Sequence, residues 1–338
     1  MKVNGDKCHD TIIKNMKPLY SFDENKSFQE QKERLRQKFI ELTGIDLIQK
    51  NACEPNLDIE FEEQKDGYKL IRFTFESEKE AVVPCYLLIP DTKKEKYPVV
   101  INLQGHSTGF HISIGVSKYE GDEEDIPRVS FALQAVKNGY IALSIEQRGM
   151  GETKPQKEKR NWGKMCSFTA QAAFLLGRTL IGERVWDVSK AIDVLSNFKE
   201  CDLDNIMIMG TSGGGTASYY SACFDERIKY CVPICSFCPY EESILDIYHC
   251  ACNFIPSAYN YFDMQDLACL IAPRKLLIVA GKEDIIFPIN GVYRGYETVK
   301  SVYKAVGQED NIKLVVTPKG HYYCPDETWK AIEEFIKL

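Results

Sequence analysis

The residues best suited to chemistry in this chain are a serine, an aspartate and a histidine that stand far apart in sequence. Ser212 lies in Gly210-Thr211-Ser212-Gly213-Gly214, between the apolar run Ile206–Met209 and the small residues Ala217, Ser218, Ser221 and Ala222. That context predicts a strand, a sharp turn and a helix, the setting in which the serine of a G-x-S-x-G motif stands exposed above a sheet. Gly210 and Gly214 leave room where the backbone crowds, and the N–H of Gly213 points at the carbonyl oxygen under attack. The plain alternative is a glycine-rich turn around an inert serine, so the partners decide. A nucleophilic serine needs a base, and there are five histidines: His9, His106, His111, His249 and His321. His9 lies in a polar amino-terminal segment, whereas His321 follows the last apolar run, Ile312–Val316. The base needs an acid to orient it, and Asp284 stands just beyond Leu276–Ala280. Its neighbour Glu283 is the weaker candidate, expected to be an exposed loop carboxylate. Nucleophile, acid and base therefore each follow a strand-like run. The chemistry they support is attack on an acyl carbon through a covalent intermediate. A second oxyanion donor is expected in Leu103-Gln104-Gly105-His106, with the N–H of His106 as the candidate. Its imidazole is expected either to line the pocket or to bond a nearby loop carbonyl.

These residues need a scaffold that brings three loops to one edge. Residues 57–62, 69–75 and 82–89 read as strands, with Asp66-Gly67 as a hairpin turn between the first two. From residue 98 onward, short continuous apolar runs appear at Val99–Leu103, Ile141–Ile145, Ile206–Met209, Tyr230–Pro233, Leu276–Ala280 and Ile312–Val316. Continuous runs, as opposed to alternating ones, predict strands covered on both faces, hence a parallel sheet. Helical patterns lie between them at residues 129–137, 181–195, 290–306 and 329–335. The fold class is therefore α/β, a mostly parallel doubly wound sheet with flanking helices. Before it, residues 1–55 form an accessory helical arm and 56–338 the catalytic domain. In the arm Ser27-Phe28-Gln29-Glu30 fits a capping box, Leu35, Phe39 and Leu42 follow at helical spacing, and Gly44 fits a stop. Three irregular stretches, 105–127, 149–166 and 236–271, are long enough to shape a site.

Composition narrows the function classes. Hydrophobic residues make up 44% and charged residues 27%, which excludes disordered and fibrous classes. A net charge of −7 argues against a nucleic-acid partner. No run is long and apolar enough to predict a membrane span, and Met1–Asp10 lacks the apolar stretch of an export signal, so the expected compartment is the cytoplasm. Thirteen cysteines fall short of a disulfide scaffold, and reduced thiols are expected. Cys231, Cys235, Cys238, His249, Cys250 and Cys252 crowd one region, but their spacing fits no familiar zinc finger and plain packing is expected. The charge run Lys154–Arg160 reads as a solvated loop. Tyr240, Tyr248, Phe254, Tyr259, Tyr261 and Phe262 could wall a sugar-like or aromatic substrate, or simply pack a long loop.

Gly105-His106, Arg148-Gly149-Met150-Gly151, the Ser212 elbow, Gly281-Lys282-Glu283-Asp284 and Gly320-His321 together resemble the α/β-hydrolase superfamily. The chain order Ser212, Asp284, His321 is that of this superfamily. Arg184-Val185-Trp186-Asp187 and Ala272-Pro273-Arg274 are similar to the acetyl xylan esterase-like and dienelactone hydrolase-like group. The resemblance covers roughly residues 82–338. It implies an ester hydrolase, acting on a small-molecule or carbohydrate ester, with no cofactor and no metal. Where the acetyl xylan and cephalosporin deacetylase family typically has Gln, this chain has Gly213 and Met150, and it has Gln104 where that family usually has His. Those departures leave the acyl group and the alcohol open. Two other readings stand beside the esterase: a peptidase of the prolyl oligopeptidase type, weakened by the lack of room for a propeller, and a non-catalytic binding protein on the hydrolase fold. The sequence leaves a homo-oligomer open.

Overall fold

The computed structural model describes residues 3–92, 94–156 and 165–336. The carboxyl-terminal half of the charge run Lys154–Arg160 lies outside them. The nine strands are β1 (Asp58–Lys65), β2 (Tyr68–Glu78), β3 (Ala81–Pro90), β4 (Tyr97–Leu103), β5 (Ile141–Ile145), β6 (Cys201–Thr211), β7 (Ile228–Ile234), β8 (Lys275–Gly281) and β9 (Ile312–Thr317). They form one sheet in the order β1-β2-β3-β5-β4-β6-β7-β8-β9. The pairs β1/β2, β2/β3 and β3/β5 are antiparallel, and every pair from β5/β4 to β8/β9 is parallel. Each run read as a strand is one, and Gly67 makes the β1–β2 turn at φ 81°.

Two separate apolar layers explain why the central strands are apolar throughout. Val99, Ile101, Ile206, Ile208, Leu276 and Ile278 point into one layer, and Val100, Met207, Met209, Leu277 and Val279 into the other. Side chains alternate along a strand, so a sheet covered on both faces needs apolar residues at every position. The first layer is roofed by the helices Phe28–Thr43, Leu180–Val194, Gly213–Phe224 and Ile289–Ala305. The second is roofed by Phe131–Lys137 and Pro325–Phe335. No helix among the described residues is long and apolar enough to cross a membrane.

The amino-terminal helix Phe28–Thr43 begins where the cap was expected. Ser27 accepts a hydrogen bond from the Glu30 N–H at 3.4 Å, and Gly44 ends the helix at φ 74°. Leu35 and Phe39 are buried in the same layer as the sheet, as are Ile45 and Ile48 of the short helix that follows. The helix Asp122–Val129 lies in a stretch expected to be irregular. Pro127 obscures it, while Asp122, Glu123, Glu124 and Asp125 favour its first turn by meeting the positive end of the helix dipole.

An ion network fastens the helix Leu180–Val194 to the antiparallel edge. Arg148, just after β5, makes a fork of two 2.8 Å hydrogen bonds to Asp187 and reaches Glu78 of β2 at 2.7 Å. Glu78 also accepts from Arg178, whose Nε pairs with Glu183 at 3.0 Å. Burial opposes the Arg148 charge, but Asp187, Glu183 and Glu78 outweigh it and hold the guanidinium protonated. Arg184 caps the arrangement by donating to the Arg148 carbonyl at 2.8 Å.

Two stability predictions follow from this packing. Phe39→Ala leaves a cavity where the arm meets the sheet layer and should cost about 3–5 kcal/mol, read as a lower urea midpoint; an unchanged midpoint would mean that the arm contributes no stability. Arg148→Met strands the buried Asp187 carboxylate and should cost about 3–5 kcal/mol, the usual result of removing one member of a buried pair. Here the check is a calorimetric melt, in which Asp187→Asn combined with Arg148→Met should recover part of the loss.

Candidate active site

Strand β6 runs directly into Ser212, whose backbone sits at φ 54°, ψ −124°. An L-residue rarely adopts this conformation, and it turns the side chain up from the sheet edge. The neighbouring backbone permits it only because glycines flank the turn. A Cβ on Gly210 would lie 2.5 Å from the Leu103 carbonyl oxygen, and one on Gly214 would drive into the Leu103 and Gln104 carbonyls. The Ser212 N–H is tied to the Ile234 carbonyl at the end of β7, at 2.9 Å. Gly213 opens the helix Gly213–Phe224, so its N–H belongs to the first turn, where no intrahelical acceptor exists.

The other two residues arrive on the loops after β8 and β9. His321 Nε2 lies 2.9 Å from Ser212 Oγ, and its Nδ1 lies 2.9 Å from Asp284 Oδ2. A carboxylate only accepts, so Nδ1 carries the proton and Nε2 is left to accept from the serine hydroxyl. The Asp284 side chain is fully buried, and its Oδ1 accepts the N–H groups of Ile286 at 2.8 Å and Phe287 at 3.0 Å. The Phe287 ring stacks on the imidazole, with centroids 5.8 Å apart. Glu283 is exposed and Asp284 faces the histidine. Of the other histidines, His9 sits on an exposed helix and His111 is buried against Asp122 at 2.9 Å, whereas His249 lines the cavity onto which Ser212 and His321 open, edge-on to Phe287 and 3.3 Å from Ser243 Oγ.

Gly105 and His106 stand beside the elbow. A Cβ on Gly213 would come within 3.1 Å of two atoms of the His106 ring, so the loop after β4 lies directly against the residue that follows Ser212. The ring lines the cavity beside the elbow, and its Nε2 meets Cys252 Sγ at 3.2 Å. The loop is anchored by a residue the sequence reading passed over. Glu146, at the end of β5, accepts from Gln104 Nε2 at 2.9 Å and from the N–H groups of Phe110 at 3.3 Å and Glu152 at 3.2 Å. Burial pushes its carboxyl up to about 7, against the pull of those donors. Its place in Glu146-Gln147-Arg148-Gly149, shortly after a buried strand, was the available signal.

Ser212 and His321 open onto a cavity of about 350 Å³. Ile112, Phe131, Phe287 and Tyr323 line it from several elements, and Ile247 and Tyr248 come from the stretch 236–271. Of the six aromatics expected as a possible substrate wall, Tyr248 alone lines this cavity. Tyr240 is buried against the Tyr220 hydroxyl at 2.7 Å, Phe262 is fully buried, and Tyr261 packs against Tyr20 and Lys38. Phe254 and Tyr259 line a different hollow beside His9 and Ile12 of the arm. Packing therefore accounts for most of the aromatic cluster. The cysteine cluster also divides. Cys231, Cys235 and Cys238 are buried in the apolar layers, where burial pushes their thiols upward, whereas Cys250 and Cys252 meet His106 and a residue the sequence reading did not connect with them, Cys166.

Comparison with known proteins places this architecture. The model of the Abhydrolase family matches residues 3–228, a span that includes Ser212 and ends before Asp284 and His321. A candidate hydrolase of Bacillus subtilis (strain 168), YtaP, is 28% identical over 243 residues, covering 71% of this chain and 78% of that protein. A candidate acetyl xylan esterase of Bacteroides fragilis NCTC 9343 superposes with a TM-score of 0.75 at 20% identity, over 96% of this chain and 85% of its own. The acetyl xylan esterase from Paenibacillus sp. R4 superposes with a TM-score of 0.64 at 15% identity, over 97% and 98%. The strand order, the elbow at the end of β6 and the family match agree: the chain belongs to the Abhydrolase family and has the α/β-hydrolase fold, which it shares with proteins named acetyl xylan esterases.

Proposed function

We propose that the protein hydrolyses carboxylic esters through Ser212, His321 and Asp284. The observation that carries this reading is the continuous hydrogen-bonded chain from Ser212 Oγ through both imidazole nitrogens to a buried carboxylate, at the edge of an open cavity. Ser212 Oγ bonds to the ester carbonyl carbon as its proton passes to His321 Nε2. Asp284 fixes the ring orientation and stabilises the imidazolium. The N–H groups of Gly213 and His106 hold the oxyanion, a role supported by the proximity of the two residues and by the place of the Gly213 N–H in the first turn of its helix, where no intrahelical acceptor exists. The C–O bond to the alcohol then breaks, and the departing alkoxide takes the proton from His321. Water attacks the acyl-serine, giving its proton to the same nitrogen, and the acid leaves as Ser212 regains its hydrogen.

The reading extends to substrate class, organisation and compartment. Acetylated carbohydrates are the proposed substrates, supported by the fold shared with proteins named acetyl xylan esterases and by a cavity walled by Phe131, Phe287 and Ile112. Residues 1–55 serve as an arm roofing the domain 56–338, supported by the burial of Leu35 and Phe39 among the sheet residues. A reducing, cytoplasmic setting suits a chain whose buried sulfurs include the thiol cluster beside His106.

A fluorophosphonate should label Ser212 alone, as located by peptide mass spectrometry, and Ser212→Ala should lower kcat by up to ~10⁶-fold while the melt is unchanged. Labelling at another serine would overturn the assignment, and a folded chain that takes no label would favour the binding-protein alternative. For the acyl group, kcat/KM should fall from acetyl to butyryl to octanoyl p-nitrophenyl esters. A bounded pocket rejects excess length by steric clash, whereas each methylene that fits is worth only ~1–3 kcal/mol. A preference for octanoyl would remove the deacetylase reading, and cleavage of aminoacyl amides without esterase activity would favour the peptidase.

A further inference from the structure

Four potential metal ligands that are distant in sequence meet next to the elbow. His106 comes from the loop after β4, Cys166 from the start of the helix Met165–Leu175, and Cys250 and Cys252 from the turn at Ala251–Asn253. Their ligand atoms all lie within 4.8 Å of one another. Cys166 Sγ and Cys250 Sγ are 3.0 Å apart, and His106 Nε2 is 3.2 Å from Cys252 Sγ. The three cysteines are buried, with the imidazole at the open side of the group.

Packing alone does not account for this group. A cysteine buried as a small hydrophobe sits among hydrocarbon, as Cys85 does in the sheet layer. Here three sulfurs face one another and a ring nitrogen. The Ser167 hydroxyl also points at Cys250 Sγ, at 3.0 Å, as an outer hydrogen-bonding partner of a metal thiolate would. Zinc–sulfur bonds of ~2.3 Å arranged tetrahedrally imply sulfur–sulfur edges of roughly 3.8 Å, so the Cys166–Cys250 pair, at 3.0 Å, has to open by less than an ångström to accept the ion. Three sulfur ligands and one nitrogen form a closed tetrahedral set, which selects zinc over the hard cations magnesium and calcium and leaves no position for substrate.

We propose that His106, Cys166, Cys250 and Cys252 bind one zinc ion in a structural site. The ion ties the loop carrying Gly105 and His106 to the pocket wall at Cys250 and to the helix at Cys166. Its contribution to catalysis is to position that loop against Gly213, since Ser212, His321 and Asp284 lie outside the ligand set. The inference does not rest on the esterase reading, because metal binding is measured without turnover.

The test uses the full chain, produced with zinc in the medium, purified with a reductant and dialysed. Elemental analysis should find close to one zinc per chain. Replacing zinc by cobalt should give a thiolate-to-cobalt charge-transfer band and the intense visible bands of tetrahedral cobalt. Cys166→Ser and Cys252→Ser should lose the bound metal, while Cys8→Ser, which alters an exposed thiol in the arm, should keep it. If the cysteine variants fail to fold, His106→Ala alters only the open side of the site; it should lose zinc to a competing chelator faster than the wild type and shift the cobalt spectrum. Wild-type protein that is substoichiometric in zinc and shows no thiolate-to-cobalt band would overturn the proposal. So would a Cys166–Cys250 disulfide in protein prepared without reductant in the presence of zinc, found by mass spectrometry.

Discussion

Ser212 holds a backbone conformation that costs an ordinary L-residue of order 1–3 kcal/mol, and the surrounding structure exists in large part to enforce it. Strand β6 enters the turn from the middle of the parallel sheet, the helix Gly213–Phe224 leaves it, and the Ser212 N–H is bonded to the end of β7. The backbone of β4 runs so close that side chains at positions 210 and 214 would collide with it. The turn cannot relax without moving two neighbouring strands and a helix buried along its whole length. Because the strands from β5 to β9 lie parallel, their carboxyl ends share one edge. The loops after β8 and β9 therefore deliver Asp284 and His321 to the serine over short spans.

That dependence explains why so much was legible in the sequence. A strand covered on both faces must be apolar at consecutive positions, and Val99–Leu103 or Leu276–Ala280 can hardly be read another way. The candidate site was readable for the same reason: each residue follows such a run. Glu283 and Asp284 are adjacent and chemically alike, and what separates them is which one faces the histidine. Asp284 turns inward to accept two N–H groups, and Glu283 is left in solvent. The cap at Ser27 and the stop at Gly44 were local signals of equal clarity.

The features that escaped the sequence are those assembled by long-range contact. Arg148 and Asp187 are 39 positions apart and meet only once the helix Leu180–Val194 lies on the sheet. The helix Met165–Leu175, MCSFTAQAAFL, shows no clean division into apolar and polar faces, so periodicity gave no indication of it. The aromatics between 240 and 262 looked like a unit because they are close in sequence, yet they point in different directions, into the arm, the helix layer and the pocket mouth. Cys166 and His106 lie 84 and 146 positions from their thiol partners. A zinc site assembled by tertiary folding has no spacing signature, and the local run Cys231–Cys252 directed attention to the wrong neighbours.

These contacts converge on the loop between β4 and the turn Phe110–Ile114. Oxyanion stabilisation is effective only when the donors are already aimed, because a loop that must order itself during the reaction loses the benefit. The serine side of the proposed oxyanion hole is rigid by construction, since Gly213 begins a buried helix. The loop side has no such scaffold and is held from two directions. From within, Glu146 gathers Gln104 and Phe110 with a buried carboxylate; from outside, the thiol cluster holds the His106 ring. A glycine at 213 leaves space above the first turn of the helix, and the His106 ring occupies it. In this chain the small residue after Ser212, the histidine on the facing loop and the three cysteines behind it are parts of one arrangement, and a larger residue at 213 would displace the ring that the thiols hold.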